Sequence, residues 1–359
     1  MAVDFTWVKH VHRRPGMYIG STNGIAVYHM LVNLVEQMLL DTPEPHTSQI
    51  SIHLQRDESI IVTATGSVTL PTTIKSPLVL NTPAELITAL ASTLHRPDEL
   101  KLHALPLFQA FARRCIIHMY QHGQHFLQSF AKGKPLHTAR QVDISDQTGM
   151  RIEWKPNLQL LSELNLLSSS SLAQRLSVVA ARYPGTRIQV TDERVCTYQI
   201  QHNNGLRDYL LSNPLNQPSE LLQFVGTSTE VRLEFVWLTY HHTLTIESWV
   251  NYEPTPEHGS HVEGFWRGMQ AGFGDYARAQ GWIAKRARIG RDRLPISGKL
   301  LITVDLLYPK YAGATRNRLN DERVLKAVTR LVRGWLCEQL AQPDIGTQLA
   351  SRLKAALER

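Results

Sequence analysis

Residues 26–40, AVYHMLVNLVEQMLL, place Val27, Met30, Leu31, Leu34, Val35, Met38 and Leu39 at i, i+3, i+4 spacing, which predicts an amphipathic helix ended by DTPEP. The runs SQISIHLQ and SIIVTAT alternate or cluster β-branched residues around RDES and predict a hairpin. PAELITALAS predicts a second helix. A third leads from LHALPLFQAFARRC into strands turning at QHGQ. GMRIEWKP, TRIQVTDE and VCTYQIQ read as strands, with a helix over SLAQRLSVVAARYP. Strands and helices interleaved in this way predict an α+β sandwich up to about Gln201.

The polar stretch QHNNGLRDYLLSNPLNQPSE marks the best boundary, dividing the chain into domains at 1–203 and 204–359. Beyond it, EVRLEFVWL and HTLTIESWVN predict a hairpin, HVEGFWRGMQAGFGDYARAQG a long helix, GKLLITVDLLYP an apolar strand, and helices from about Asp321 close the chain. This is a second α+β unit.

A length of 359 residues suits about two domains, each able to bury a core. No apolar run approaches ~18 residues, and MAVDFTWVKH lacks the apolar centre of a signal peptide. Cys115, Cys196 and Cys337 are scattered and lack metal-ligand spacing, so a reducing cytoplasm is expected and no membrane partner. The net charge of +7 concentrates late in the chain. From Lys285 to Arg333 there are thirteen Lys or Arg against four acidic residues, a stretch suited to an anionic partner or to a solvated face. His118, His122 and His125 have spacings a metal could use, but without a completing carboxylate or Cys they read as ordinary hairpin histidines.

RRPGMYIGST resembles the start of the ATPase region of the B subunits of bacterial DNA gyrase and topoisomerase IV. YPGTRIQVTDER, YQIQHNNGLRDYL, PEHGSHVEGFWRGMQAGFGDYA and YAGATRNRL continue the likeness in the family's order. The resemblance implies a GHKL-type nucleotide domain followed by a transducer domain of the ribosomal protein S5 domain 2-like type. The likeness stops where the family's TOPRIM domain is expected to begin.

In the family, the first long helix carries a Glu that acts as general base and, four residues on, an Asn that holds magnesium. The match puts Asn33 and Gln37 there. An amide cannot take a proton from water near neutral pH, and Gln37 keeps only a carbonyl ligand on a longer arm. Glu36 is the one carboxylate left on that turn, a candidate displaced base. The family reads adenine with the Asp of an Asp-Gly-x-Gly strand end. Here Ala64 takes the Asp position, Gly66 is kept, and Ser67 and Val68 follow. Its Leu-His-Gly-x-Gly phosphate loop appears as Leu102, His103, Ala104, Leu105, Pro106, and proline has no N–H to give a phosphate. The family's Gly-Thr before a strand appears as Gly149, Met150.

The Gln-Thr-Lys loop that reaches the γ-phosphate in the family appears as Ala314, Thr315 and Arg316, which leaves Arg316 as a candidate anion contact. Tyr18, in the N-terminal arm that crosses between subunits in the family, is a candidate dimer contact. Lys285, Arg286, Arg288, Arg291 and Arg293 are candidate DNA contacts.

These replacements predict a pseudo-ATPase that works by binding. It would form a homodimer, or pair with a topoisomerase B-type subunit or a TOPRIM-bearing chain, and modulate DNA topology, with no cofactor. One alternative is a diverged active ATPase that uses Glu36 with ATP and Mg2+. Another is a non-specific DNA-binding protein that uses the basic transducer.

Overall fold

The computed structural model describes residues 6–40, 49–66, 104–137, 139–162, 168–212, 220–239, 244–251, 253–313 and 315–358. The chain divides into two compact units, Met1–Tyr209 and Leu210–Arg359.

In the first unit, helices α1 (Thr6–Arg13), α2 (Pro15–Ile19) and α3 (Gly24–Leu40) precede strands β1 (Gln49–Leu54) and β2 (Ile60–Thr65). Helix α4 (Ala104–Ala110) leads into β3 (Ala112–Gln121), β4 (Gln124–Ala131), β5 (Lys134–Pro135), β6 (Arg140–Ile144) and β7 (Gly149–Pro156). Then come α5 (Ser169–Arg182), β8 (Arg187–Asp192), β9 (Thr197–Gln201) and α6 (Leu206–Leu211). The predicted helix at PAELITALAS lies outside the described residues.

One nine-stranded sheet runs in the order β5-β4-β3-β7-β2-β1-β8-β9, with β6 also paired to β4. β1 and β2 form the expected antiparallel hairpin, and β1 pairs in parallel with β8. Alternation sets the faces. Ile50, Ile52, Leu54, Ile60, Val62 and Ala64 are buried, whereas Ser51, His53, Ile61 and Thr63 are only half-buried on the opposite face. Helix α5 starts on Ser168, whose hydroxyl accepts from the Ser171 N–H, so the serine run serves as an N-cap. Trp154 is buried under α4, where it stacks on Phe108 at 4.6 Å and donates its indole N–H to the Phe108 carbonyl at 2.7 Å.

The second unit holds β10 (Glu220–Thr227), β11 (Arg232–Thr239), β12 (Thr245–Val250), β13 (Glu253–Pro254), α7 (Ser260–Ala279), β14 (Lys299–Asp305), α8 (Glu322–Ala341) and α9 (Pro343–Leu357). Its sheet runs β10-β11-β14-β12-β13. The predicted hairpin of β11 with β12 does not form. β14 lies between them, antiparallel to β11 and parallel to β12. The reason is burial: Leu300 to Val304 are all buried, so this strand takes the centre and β12 is displaced outward.

Helices α7 and α8 pack on that sheet. Phe235 meets Phe265 at 5.4 Å and Trp335 at 4.8 Å, both edge-on, joining strand and both helices in one core. The two helices approach through Gly264, Gly268 and Gly272, where an added Cβ would lie 2.7–2.9 Å from Leu325, Val328, Thr329, Val332 or Leu336.

Candidate functional site

The sequence marks positions on four elements of the first unit: α3, the end of β2, α4 and the start of β7. Strand pairing brings two of them together. Ala64 faces Met150 in the β2–β7 register, and the Gly66 N–H donates to the Thr148 carbonyl at 3.2 Å. Gly149 has φ +130°, and a Cβ there would sit 2.1 Å from the Ala64 carbonyl oxygen, so only glycine allows this approach. Helix α3 packs on both α4 and α5.

The side chains at these positions are packed inward. Ala64 is 1% exposed and Met150 2%; Gln37 and Pro106 are buried and Asn33 half-buried. Ala64 therefore contributes a methyl group to the core rather than a carboxylate acceptor. Pro106 sits in the first turn of α4, where its missing N–H has no intrahelical partner to lose.

Glu36 is committed elsewhere. Arg182, in the last turn of α5, donates from Nη1 to Glu36 Oε1 at 2.6 Å, and both side chains are buried. The pair joins α5 to α3 inside the protein. The candidate displaced base Glu36 is thus placed in an ion pair with Arg182. Arg182 was missed from sequence; its only signal was a cation ending an otherwise apolar helix face.

The base and metal positions hold amides, the adenine position holds a buried methyl, and the remaining carboxylate is paired within the protein.

Tyr18 is also placed inward. It is 8% exposed within its own unit, where nearby His12 Nε2 lies 2.7 Å from the Ala110 carbonyl oxygen and Val8 lies against Gly133. Residues 6–19 form α1 and α2, and in the single chain Tyr18 is not an open side chain. Nor is Arg316 a free cation. It stands at φ +58° and pairs with the buried Glu253 at 3.7 Å, beside Tyr311, whose hydroxyl burial and Glu253 together hold protonated.

The basic segment of the second unit is built differently. Lys285, Arg286, Arg288, Arg291 and Arg293 are all exposed. Arg291 pairs with Glu263 and lies 5.4 Å over the Trp266 ring, so it anchors the segment to α7. Gln270 donates to the Ile289 carbonyl and Arg278 to the Ala287 carbonyl, each at 2.9 Å, while Ile289 and Leu294 insert into the core. Lys285, Arg286, Arg288 and Arg293 have no ion-pair partner among the described residues. They project from a backbone fixed at four points.

His118 and His125 meet through Nδ1 and Nε2 at 3.0 Å, and His118 Nε2 lies 3.7 Å from Glu153. Burial pushes the His118 pKa down, with Glu153 opposing it. Among the described residues no group of three His, Cys, Asp or Glu is disposed to hold a metal ion.

Residues 204–359 match the family DNA gyrase B. The DNA gyrase B protein of Streptococcus pyogenes serotype M3 is 23% identical over 349 residues, covering 90% of this chain and 52% of that protein. The corresponding protein of Treponema pallidum is 25% identical over 357 residues, covering 90% and 54%. The chain thus spans about half the length of the curated relatives it matches. The 43K ATPase domain of Thermus thermophilus gyrase B in complex with an aminocoumarin superposes with a TM-score of 0.72 at 21% identity, covering 98% of this chain and 94% of that one. A Francisella tularensis topoisomerase IV ATP-binding domain gives 0.72 at 21% identity, covering 98% and 97%. The fold is therefore a GHKL-type α+β sandwich followed by a transducer-type domain. Among the described residues no helix is long and apolar enough to cross a membrane.

Proposed function

We propose, on the premise that this chain is a partial-length homologue of the DNA gyrase B proteins, that it is a pseudo-ATPase acting as an interaction module in DNA topology. It pairs with a second copy of itself or with a topoisomerase B-type subunit and does not turn over ATP. The observation that carries this reading is the buried Glu36–Arg182 pair, which takes the only carboxylate on the relevant turn of α3. Loss of the base alone would slow a step. Loss of base, metal ligand and adenine acceptor together removes both the bound nucleotide and the group that would act on it.

The test measures ATP hydrolysis and Mg2+–ATP binding by the purified chain. The expected result is no turnover above a no-protein control, no calorimetric binding, and no recovery in Asn33→Glu. A steady rate abolished by Glu36→Gln without loss of folding would restore the active-ATPase alternative.

A second reading, compatible with the first, is favoured by the anchored basic segment. Lys285, Arg286, Arg288 and Arg293 are fixed side by side by contacts that leave the charges themselves unused. Such an array holds phosphates without reading bases, which suits non-specific contact with duplex DNA.

A further inference from the structure

The nine-stranded sheet of the first unit has two ends, and they are treated differently. At one end β6 carries Arg140 and Asp143 and is bulged against β4. The Ile144 N–H there is taken by the Asp143 carboxylate at 2.8 Å. Charges, a bulge and a blocked donor are the means by which proteins stop an edge strand from pairing further. At the other end β9 has none of them. It reads Thr197, Tyr198, Gln199, Ile200, Gln201, without charge, proline or glycine, and its register with β8 is regular throughout.

The direction of its backbone groups follows from that register. The Asp192 N–H donates to the Cys196 carbonyl, so alternate residues Tyr198 and Ile200 turn their N–H and C=O groups toward β8. Thr197, Gln199 and Gln201 turn theirs outward. All three are exposed, and their backbone groups form no bond beyond the sheet among the described residues.

We propose that β9 pairs antiparallel with β9 of a second copy of this chain about a two-fold axis at Gln199, so that one sheet runs through both subunits. The register is fixed by the outward groups: Gln199 faces Gln199 of the partner subunit, and Thr197 faces Gln201 of the partner subunit. Three hydrogen-bonded residue pairs give about six main-chain bonds. In the same register Tyr198 faces Ile200 of the partner subunit on the helix-covered side, an aromatic–β-branched pair. A second copy fits better than another occupant because the strand is its own complement in this register. On a chain of net charge +7, β9 itself carries no charge, so no like charges face each other across the paired strands. On the neighbouring strand, Arg187 lies opposite Gln201.

Five residues a side bury less than stable dimers do, so the association is weak and concentration-dependent. The inference gives a surface to the self-pairing part of the reading above. It needs no nucleotide.

Sedimentation equilibrium across a wide concentration range tests it, with two variants checked for unchanged circular dichroism and thermal midpoint. Gln199→Pro removes an outward N–H while sparing the bonds to β8, and edge strands tolerate proline on that side. Gln199→Lys sets two ammonium groups face to face on the axis. The wild type should dimerise, with each variant raising the dissociation constant by more than about tenfold. Should the proline variant not fold, the lysine variant decides alone. In a Cys196→Ser, Cys337→Ser background, Gln199→Cys should cross-link on oxidation, because facing Cα atoms ~5.5 Å apart suit a disulfide. A wild type that stays monomeric, a dimer indifferent to Gln199→Lys, or a dimer whose Gln199→Cys form does not cross-link would each overturn the proposal. None of these results would restore ATP turnover, so the two readings fail separately.

Discussion

Arg182 holds Glu36 through a 2.6 Å contact in which both side chains are 7% exposed, tying α5 to α3. A residue that sequence comparison marks as a candidate for chemistry is thus a packing element. Removing one partner of such a pair strands the other charge in a low-dielectric interior, whereas removing both leaves only volume to refill.

Glu36→Ala should therefore destabilise the first unit by about 3–5 kcal/mol, and Arg182→Ala by a similar amount. For a unit of this size that lowers the thermal midpoint by roughly 6–20 °C. The double change to leucine should recover most of the loss. A thermal-denaturation double-mutant cycle measures the coupling, and strictly additive effects would show that the pair is not the source.

Duplex DNA binding, measured against salt, should give a log–log slope that flattens by roughly 0.9 for each phosphate contact removed. Charge reversal at Lys285, Arg286, Arg288 and Arg293 should flatten it without loss of folding, since these side chains hold no internal ion-pair partner among the described residues. Arg291→Ala should instead loosen the segment, because that side chain is spent on Glu263 and Trp266. Identical slopes in wild type and quadruple variant would leave the segment a solvated face.

Acid sensitivity should centre on His261. Burial holds its imidazole at about 3, against an ordinary 6.5, and nearby His258 pushes in the same direction. An unfolded chain takes up that proton below about pH 6.5 while the folded one refuses it, so stability is complete above that pH and falls as pH drops toward 3. The slope per histidine reaches about 1.4 kcal/mol per pH unit. His258, His202 and His118, also shifted downward by burial, add to it. Urea denaturation between pH 7 and 4.5 should show a shallower slope in His261→Asn than in wild type. Equal slopes would mean that His261 already accepts its proton in the folded state.

Glycine positions on α7 and α8 give a graded series. Gly268→Ala meets Val332 Cβ at 2.7 Å and the Thr329 carbonyl at 2.9 Å, neither of which can retreat, and should cost about 1–3 kcal/mol. Gly272→Ala meets the tip of Leu336 at 2.8 Å, which can turn aside, and should cost less. Gly334→Ala faces open space inside a helix and should stabilise by about 0.5–1 kcal/mol. Chemical denaturation ranks the three; a different order would contradict the backbone-contact account.

Local periodicity made much of this fold legible. The stripes of α5 and α7 and the alternation of β1, β2, β7 and β8 are visible within windows of a few turns, whereas α3, read as amphipathic, is buried on nearly every face. What it could not supply was the order of strands. β11 and β12 are neighbours in sequence and both strand-like, and only the need to bury Leu300 to Val304 on both faces puts β14 between them. The site shows the same limit. The exchanges at Asn33, Ala64 and Pro106 can be read directly, but the fate of Glu36 depended on Arg182, 146 residues away, and that of Arg316 on Glu253. Ion pairs closed by tertiary structure leave no periodic trace.

The glycine-faced contact of α7 with α8 also has a mechanical meaning. Side chains give way to load by changing rotamer, but where Gly264 and Gly268 bring the α7 backbone against carbonyls of α8 there is little to turn aside. The two helices should then respond to force as a single stiff beam. The segment from Lys285 to Arg293 is fastened to one side of that beam through Gln270, Arg278 and Glu263. A pull on those cations would travel along both helices together instead of dissipating at their seam.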